Sequence, residues 1–585
     1  MTRVDDTTRA GSFLTHDVRV SELFTREELT EEQQLFGRTA AEFMRKDVLP
    51  CAQDLYAHDW ALTRRLFLKA AALDLTRLEI PAAYGGLGLD KISAAFVGEQ
   101  VSIEPSFAGS LGAHTSIGTL PLVYFGTDEQ KARYLPALGN AEMIGAYALT
   151  EPHSGSDARA ARTTARLTPD GRHYALNGQK AWITNGGFAD LFTIFAKVDG
   201  EKFTAFLVER GMGVMSGRDE LKLGLDGSST TVLMLDNVLV PVENVLGTIG
   251  EGHKVAFNIL NLGRLKLGTR NITGAKRALD WSIDYAKQRQ QFGRAISQFG
   301  LVKHKLGEMA VRCWVGDAMV YRSLGDVDRA LDLVDRSDSS QVLKTIEAFA
   351  VECSINKVWT SEALAYAVDE AVQVFGGNGY SREFPVERAY RDARITRIYE
   401  GTNEINRLII PTRLLKESPA LFTRESAARA LASLASSDSA SGALATERMW
   451  VTHAKRITMA TLGYVADGYR DELKDEQEVL GQIADMLIDI YASESAIGRA
   501  EKLTANGPTE RSRMPVEIAR IYANDAADRI AASAKRVVAA LTARGARIGD
   551  LGDAVARFAA RPGIDTIAAR RLVADTVIHA GRYTL

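Results

Sequence analysis

From Glu28 to about Leu138, apolar residues recur at intervals of three and four, as in LFGRTAAEFMRKDVL, the period of helices with one buried face. The segment PAAYGGLG at Pro81–Gly88 breaks this pattern and predicts a loop. From about Gly145 to Glu251 the period shortens. Runs rich in β-branched and aromatic residues follow one another: LFTIFAKV, FTAFLVE, TVLML and VLVPVENV. Asn177-Gly178 and Asp199-Gly200 lie between such runs and favour hairpin turns, so this part predicts an antiparallel sheet or small barrel. No proline occurs between Pro241 and Pro385. Long amphipathic stretches such as LVKHKLGEMAVRCWVGDAMVYRSL predict a bundle of long helices reaching about Leu415. The last 170 residues open with ARALASLASSDSASGALAT, a loose linker or weak helix, and continue as helical patterns such as EVLGQIADMLIDIYASESAIGRAEKL.

The fold class is therefore mainly α with a central β domain (α+β). The expected order is an N-terminal extension (1–27), a helical domain (28–144), a middle β domain of antiparallel barrel or sandwich type (145–251), a four-helix-bundle domain (252–415) and an additional helical domain with its linker (416–585).

Composition narrows the function classes. The 585 residues are 46% hydrophobic and 25% charged, which excludes a largely disordered chain. A net charge of −3 argues against nucleic acid as a partner. Cys51, Cys313 and Cys353 have neither metal-ligand nor redox spacing and predict buried, reduced thiols in a cytosolic protein. The N-terminal MTRVDDTTRAGSF has two acids and no apolar run, unlike a secretory or transit signal. No apolar stretch of ~18 residues predicts a spanning helix. The expected location is cytoplasmic.

No Gly-x-Gly-x-x-Gly fingerprint, P-loop or HExxH is present, and none of the nine histidines pairs at i, i+4, so no metal site is expected. Chemistry concentrates in five loops. Tyr147–Asp157, YALTEPHSGSD, is crowded with hydroxyls and small residues; it suits a ring edge or phosphate, and equally an ordinary Asx or Ser turn. In Asn177–Gly187, NGQKAWITNGG, Trp182 and Thr184 are two apart and share a strand face, which suits a flat cofactor or a sheet core. Arg289–Gly293, RQQFG, places an arginine beside glycine and amides, fit for a pyrophosphate or for solvent. Gln373–Tyr380, QVFGGNGY, ends a helix, and a C-cap alone accounts for its glycines. In Arg397–Glu404, RIYEGTNE, Glu400 stands between Tyr399 and Gly401 before a helix. A desolvated carboxylate there suits a general base, and an N-cap or surface acid suits the same local sequence.

Taken in order and spacing, TEPHSGSD, NGQKAWITNG, RQQFG, QVFGGNGY and IYEGTNEINR resemble the signature segments of the acyl-CoA dehydrogenase family, over roughly residues 28–415. The resemblance implies FAD bound without a Rossmann domain, in a cleft between sheet and bundle. It implies removal of two hydrogens from the α and β carbons of an acyl-CoA, with Glu400 as the base for the α-proton. The backbone N–H of Glu400 and a flavin ribityl hydroxyl would hold the thioester oxygen. By the same resemblance Tyr147, Leu149, Thr150, Gly155, Ser156, Trp182 and Thr184 meet the flavin. Arg289, Gln291, Phe292, Gln373, Gly376 and Gly377 meet the dinucleotide of a neighbouring subunit, and Thr402 and Glu404 add FAD contacts. Ser156, Asn261, Arg264, Tyr399 and Gly401 match substrate positions. Gly263 stands where a minority of the family places its base, which leaves Glu400.

The long tail resembles the additional domain of the very-long-chain branch and implies a homodimer. GSLGAHTSIG at Gly109–Gly118 also resembles that branch. Gly109, Gly112 and Ala113 are small where shorter-chain members place bulky side chains, leaving room for further methylenes at up to ~0.8 kcal/mol each. Two features depart from the pattern. His153 stands where small residues are usual. The Ala/Ser-rich stretch near 430–447 is poor in Lys/Arg and includes Asp438, so peripheral membrane contact is only weakly implied. The expected activity is a long-chain acyl-CoA dehydrogenase passing electrons to an electron-transfer flavoprotein. The alternatives are an acyl-CoA oxidase using dioxygen, a non-catalytic assembly protein on the same fold, and a DNA-associated alkylation-response flavoprotein; the last is disfavoured by the net charge.

Overall fold

The computed structural model describes residues 11–435, 442–505, 507 and 510–585. The chain forms two compact units: Leu29–Thr273 with Leu331–Glu347, and Gly274–Ala330 with Ala348–Leu585 and the N-terminal residues through Glu28.

The first unit opens with helices α1 (Glu31–Phe43), α2 (Trp60–Ala72), α3 (Lys91–Val101), α4 (Pro105–Ala113) and α5 (Asp128–Gly139). Capping boxes start α1 and α5: Thr30 with Gln33, and Thr127 with Gln130, each satisfy two helix-end N–H groups. An eight-stranded sheet follows: β1 (Gly145–Ala148), β2 (Thr164–Leu167), β3 (His173–Thr184), β4 (Leu191–Val198), β5 (Lys202–Glu209), β6 (Met215–Asp219), β7 (Thr230–Pro241) and β8 (Val245–Leu246). The order is β6-β7-β3-β2-β4-β5-β8, and β1 pairs with β4.

The pairing departs from the purely antiparallel expectation. Both β1 and β2 run parallel to β4, sharing one of its edges. Parallel pairs need long connections, and here the intervening strands supply them. Strand β4 is buried along nearly its whole length, which is why LFTIFAKV reads as a continuous apolar run and not as alternation. His114, just after α4, joins the helices to the sheet. Its Nδ1 accepts the Gly145 N–H (3.0 Å) and its Nε2 donates to the Leu138 carbonyl (3.1 Å), which fixes the neutral tautomer. Burial pushes its pKa down to about 4.

Helix α6 (Gly252–Gln288) begins in the first unit and ends in the second. The second unit continues with a short hairpin, β9 (Gln290–Gln291) and β10 (Arg294–Ala295), then α7 (Gly300–Asp332), α8 (Ala350–Phe375), α9 (Pro385–Ala393) and α10 (Asn403–Glu417). The tail adds α11 (Arg424–Ala432), α12 (Ala445–Tyr469), α13 (Gln477–Thr504), α14 (Glu510–Ala543), α15 (Leu551–Ala559) and α16 (Thr566–Ala580). The Ala/Ser-rich stretch thus begins as a helix; residues 436–441, Asp438 among them, lie outside the described residues. Among the described residues no helix is long and apolar enough to cross a membrane. All three cysteines are free, and Cys313 and Cys353 are buried. Cys51, at the end of a short 3₁₀ turn, is only half-buried, against expectation.

The N-terminal segment holds the main surprise. Residues 11–28 do not hang free of the domains but thread through the second unit. Phe13 packs edge-on against Tyr491 at 5.2 Å. The Gly11 and Val18 N–H groups donate to the buried carboxylates of Glu352 and Glu494, at 2.9 and 3.1 Å. Arg499, 1% exposed, donates to Glu27 (2.6 Å) and to the Trp314 carbonyl (2.9 Å), and lies over the Trp314 ring. Burial opposes charge on Glu27, but Arg499 beside it draws the carboxyl pKa down to about 2.

Glu27→Ala should therefore destabilise the protein by about 1–3 kcal/mol at neutral pH. Because the folded pKa lies below the ordinary value of 4.5, the contribution is fully present above pH 4.5 and fades as pH falls towards 2. Urea unfolding of both proteins at pH 7 and pH 3 checks this. A difference of equal size at the two pH values would exclude the ion pair as its source.

Candidate functional site

The sequence-selected residues fall into two groups, one in each unit. In the first unit, Tyr147 and Leu149 are buried at the end of β1. The Tyr147 ring packs edge-on against Phe195 at 5.1 Å. The chain then turns outward: Thr150 is half-buried, while His153, Gly155 and Ser156 are exposed. The loop closes on itself through Ser154, whose hydroxyl donates to the Asp157 carbonyl at 2.6 Å.

Strand β3 carries the matching feature. Between Lys180 and Ile183 its register with β7 slips by one residue, a β-bulge. Trp182 sits at this bulge with φ +60° and is 60% exposed, while Ala181 and Ile183 on either side are buried. A left-handed tryptophan is strained, and an exposed indole loses hydrophobic stabilisation. Together they mark Trp182 as a candidate stacking position. Thr184, two residues on, is half-buried.

A buried ion pair holds loop and bulge together, and sequence reasoning missed it. Lys180, fully buried, donates to Glu151 (2.7 Å) and to the Leu149 carbonyl (3.3 Å). Glu151 also accepts the N–H groups of Arg162 and Thr163, and the Ala181 N–H donates to the Thr150 carbonyl at 2.9 Å. Burial pulls the Lys180 ammonium down to about 8. Burial also works against charge on Glu151, but Lys180 and the hydrogen bonds hold its carboxyl below the usual range. A lysine in a strand normally reads as solvated, so no local pattern marks Lys180 as internal.

The small residues of α4 divide between two faces. Gly109 is half-buried with only the Ser228 hydroxyl near, and Ala113 is buried one turn later. Ala108, Leu111 and Gly112 instead line an interior cavity with Glu79, Lys266 and Arg270. A Cβ on Gly112 would come within 1.9 Å of the Arg270 guanidinium, so a larger residue there would have to displace that side chain. Asn261 and Arg264, both buried on α6, are joined by a 3.0 Å hydrogen bond.

In the second unit, Arg289, Gln291 and Phe292 form the β9–β10 hairpin. Its tip residues Phe292 and Gly293 both have positive φ, +52° and +79°, which a two-residue hairpin needs and which glycine supplies freely. Arg289 and Gln291 are exposed, and Phe292 is 93% exposed. The Gln373–Tyr380 turn packs on the end of α6, the helix that leads into this hairpin. Asn378 donates to the Tyr285 hydroxyl (3.0 Å), and Tyr285 stacks on Phe375 at 4.1 Å. Gln373, Gly376 and Gly377 are all exposed on this turn.

Glu400 lies elsewhere in this unit, half-buried on the turn before α10, with Tyr399 exposed and Gly401 half-buried beside it. Glu400 and Gly401 are both left-handed, φ +58° and +81°. Thr402 caps α10 by accepting the Ile405 N–H. Glu404, exposed in the first helical turn, has its carboxyl held below the usual range by its own backbone N–H and then by Thr402. The turn rests on Lys357, Asn403 and Asn406, buried polar residues that sequence reasoning also missed.

Models of acyl-CoA dehydrogenase match most of the chain: the N-terminal domain at 30–142, the middle domain at 146–238, and the C-terminal domain at 250–415 and, by a second model, at 453–547. A probable acyl-CoA dehydrogenase of Bacillus subtilis is 45% identical over 545 residues, 92% of each chain. The human very long-chain specific mitochondrial enzyme is 41% identical over 345 residues, 57% of this chain and 50% of that one. A crystal structure of an acyl-CoA dehydrogenase complexed with FAD from Bacillus anthracis is 40% identical. It superposes with a TM-score of 0.95, covering 99% of this chain and 100% of that one.

Lys180→Met should cost about 3–5 kcal/mol by leaving the buried Glu151 carboxylate without its ammonium. Adding Glu151→Gln should recover part of that loss. Chemical denaturation of the two variants tests it, and equal or greater loss in the double variant would contradict the ion-pair assignment.

Proposed function

Because the chain belongs to the acyl-CoA dehydrogenase family, we propose that it is an FAD enzyme that places a trans-2,3 double bond in fatty acyl-CoA thioesters, with Glu400 as the general base. The observation that carries this reading is the Glu400 turn. A carboxylate sits on a left-handed, firmly anchored loop, in a chain whose first unit holds an exposed indole beside a hydroxyl-rich loop.

The residues present fit the cofactor. Tyr147, Leu149, Thr150, Gly155, Ser156, Trp182 and Thr184 would hold the flavin: backbone amides and hydroxyls for its polar edge, and the Trp182 face for its ring. When bound, FAD accepts the hydride leaving the β-carbon. Glu400, half-buried on its tight turn, takes the α-proton. Its backbone N–H donates to the thioester oxygen, stabilising the charge that develops as the α-proton leaves. Tyr399 and Gly401 flank the reacting carbons, and Asn261 and Arg264 meet the CoA arm.

The second unit supports a homodimer. Lys357 under the Glu400 turn and Phe375 beside the hairpin are eighteen residues apart on α8, about 27 Å of helix. Contacts from Arg289, Gln291, Phe292, Gln373, Gly376 and Gly377 are thus best made to the dinucleotide of a neighbouring subunit. The nearly bare Phe292 and Tyr380, 93% and 92% exposed, support that. Long-chain preference is supported by the small Gly109 and Ala113 and by the tail. Electrons pass to an electron-transfer flavoprotein; TEPHSGSD and IYEGT resemble the dehydrogenases more than the oxidases.

The purified protein should be yellow, with one FAD per chain. Glu400→Gln should keep FAD and acyl-CoA binding yet lose turnover by ~10²–10⁴-fold. Flavin bleaching by an acyl-CoA under anaerobic conditions measures this, and near-normal bleaching in the variant would place the base elsewhere. Bleaching that recovers promptly in air, with no acceptor protein, would favour the oxidase.

Gly109→Gln or Ala113→Glu should depress kcat/KM for long chains and spare short ones, because each excluded methylene forfeits up to ~0.8 kcal/mol. A panel of thioesters decides. A uniform loss would indicate damaged packing, and no loss would remove these residues from the tunnel.

A further inference from the structure

Two successive left-handed residues, one of them a glutamate, do not persist unless their surroundings impose them. At Glu400–Gly401 the surroundings are specific. The Gly401 carbonyl accepts from the Lys357 ammonium (2.7 Å) and from the Asn406 side-chain amide (2.8 Å). The same amide reaches the Thr402 carbonyl at 3.0 Å and the Glu400 carbonyl at 3.4 Å. Lys357 also donates to the Asn403 side-chain oxygen at 2.7 Å. Lys357 and Asn406 are fully buried, and Asn403 nearly so.

The anchor extends in two directions. Along α8, Lys357 and Ser361 are four residues apart and share a face. Asn403 donates to both Ser361 and Glu362 at 3.0 Å. On α10, Arg407 stands one turn after Asn403. Its guanidinium forks onto Glu362 at 2.7 and 3.0 Å, and its Nε donates to Asp485 at 2.7 Å. Asp485 lies on α13, in the tail. The carboxylates Glu362 and Asp485 hold the Arg407 guanidinium firmly in its charged form against the effect of burial. A forked arginine fixes orientation as well as distance.

Resting on the reading of Glu400 as the base, we infer that Lys357 is a positioning residue for the Glu400 carboxylate, and that the added helical domain steadies the same turn through Asp485, Arg407 and Glu362. A fully buried ammonium donates to a main-chain carbonyl one peptide beyond the base. A neutral side chain of similar length would leave that carbonyl with the Asn406 amide alone. The turn could then relax towards ordinary φ, and the carboxylate would swing with it. Small misplacements of a reacting group are costly, about 10²-fold per ångström. The tail contributes through the last link of the chain, so its loss should loosen the turn less than loss of Lys357.

The test uses the FAD-loaded enzyme and the variants Lys357→Met, Asp485→Asn, Asp485→Glu and Glu400→Gln. Anaerobic single-turnover bleaching with a saturating acyl-CoA reads the chemical step. Hydrogen exchange over residues 398–406 reads the turn without reference to activity. Lys357→Met is expected to slow bleaching by roughly 10²-fold. Its FAD content and acyl-CoA affinity should stay within about twofold, and exchange in the segment should accelerate. Asp485→Asn should act in the same direction by roughly three- to tenfold, and Asp485→Glu should restore most of the rate. Normal bleaching and unchanged exchange in Lys357→Met would overturn the inference, as would a rate loss matched by equal losses of FAD and substrate affinity. If Lys357→Met does not fold, Asp485→Asn decides: unchanged exchange over 398–406 overturns the inference, and faster exchange reversed by Asp485→Glu supports it. Full turnover in Glu400→Gln would instead defeat the base assignment, leaving exchange to judge the anchor.

Discussion

In each unit, a fully buried lysine is fastened to a main-chain carbonyl of a loop that carries candidate site residues. Lys180 holds Leu149 at the start of the TEPHSGSD loop, and Lys357 holds Gly401 after the candidate base. An ammonium inside a protein has lost its hydration and must recover it from fixed dipoles and counter-charges. The carbonyl it binds therefore has little freedom, since moving it strands the charge. Segments that surface loops would otherwise leave mobile become as rigid as the core beneath them.

That constraint explains why the strain at Trp182 and at Glu400 can persist. Each left-handed residue stands one or two positions from an anchored carbonyl or amide: Ala181 bonds to Thr150 beside Trp182, and Gly401 is held beside Glu400. The cost of such backbone geometry is of order 1–3 kcal/mol per residue, within what a buried ion pair or a set of charge-assisted bonds supplies. The strained positions are also the ones the proposed reaction would need presented, an indole face in one unit and a carboxylate in the other.

The tail is not an appendage in this structure. It shares a core with the N-terminal segment, through Glu494, Arg499 and Tyr491, and it reaches the Glu400 turn through Asp485. A chain whose first described residues and last third pack together folds with contacts of very long sequence separation, which are slow to form. The Arg499–Glu27 pair is the clearest of these: neither partner carries any local mark of the other.

Much was legible in the sequence. Hydrophobic period separates helices from strands because burial of one face sets a spacing of 3.6 or of 2, and that spacing survives in a linear string. The five loops, and Glu400 among them, stand out because turns demand glycine, asparagine and small hydroxyls at fixed offsets. What lay beyond reach was set by contacts between distant positions. The parallel docking of β1 and β2 on β4, the threading of residues 11–28, and the burial of Lys180, Lys357 and Arg407 depend on which segments meet. A buried lysine and a solvated one are the same letter with the same neighbours; only the tertiary structure decides whether water or a carbonyl completes the ammonium's shell.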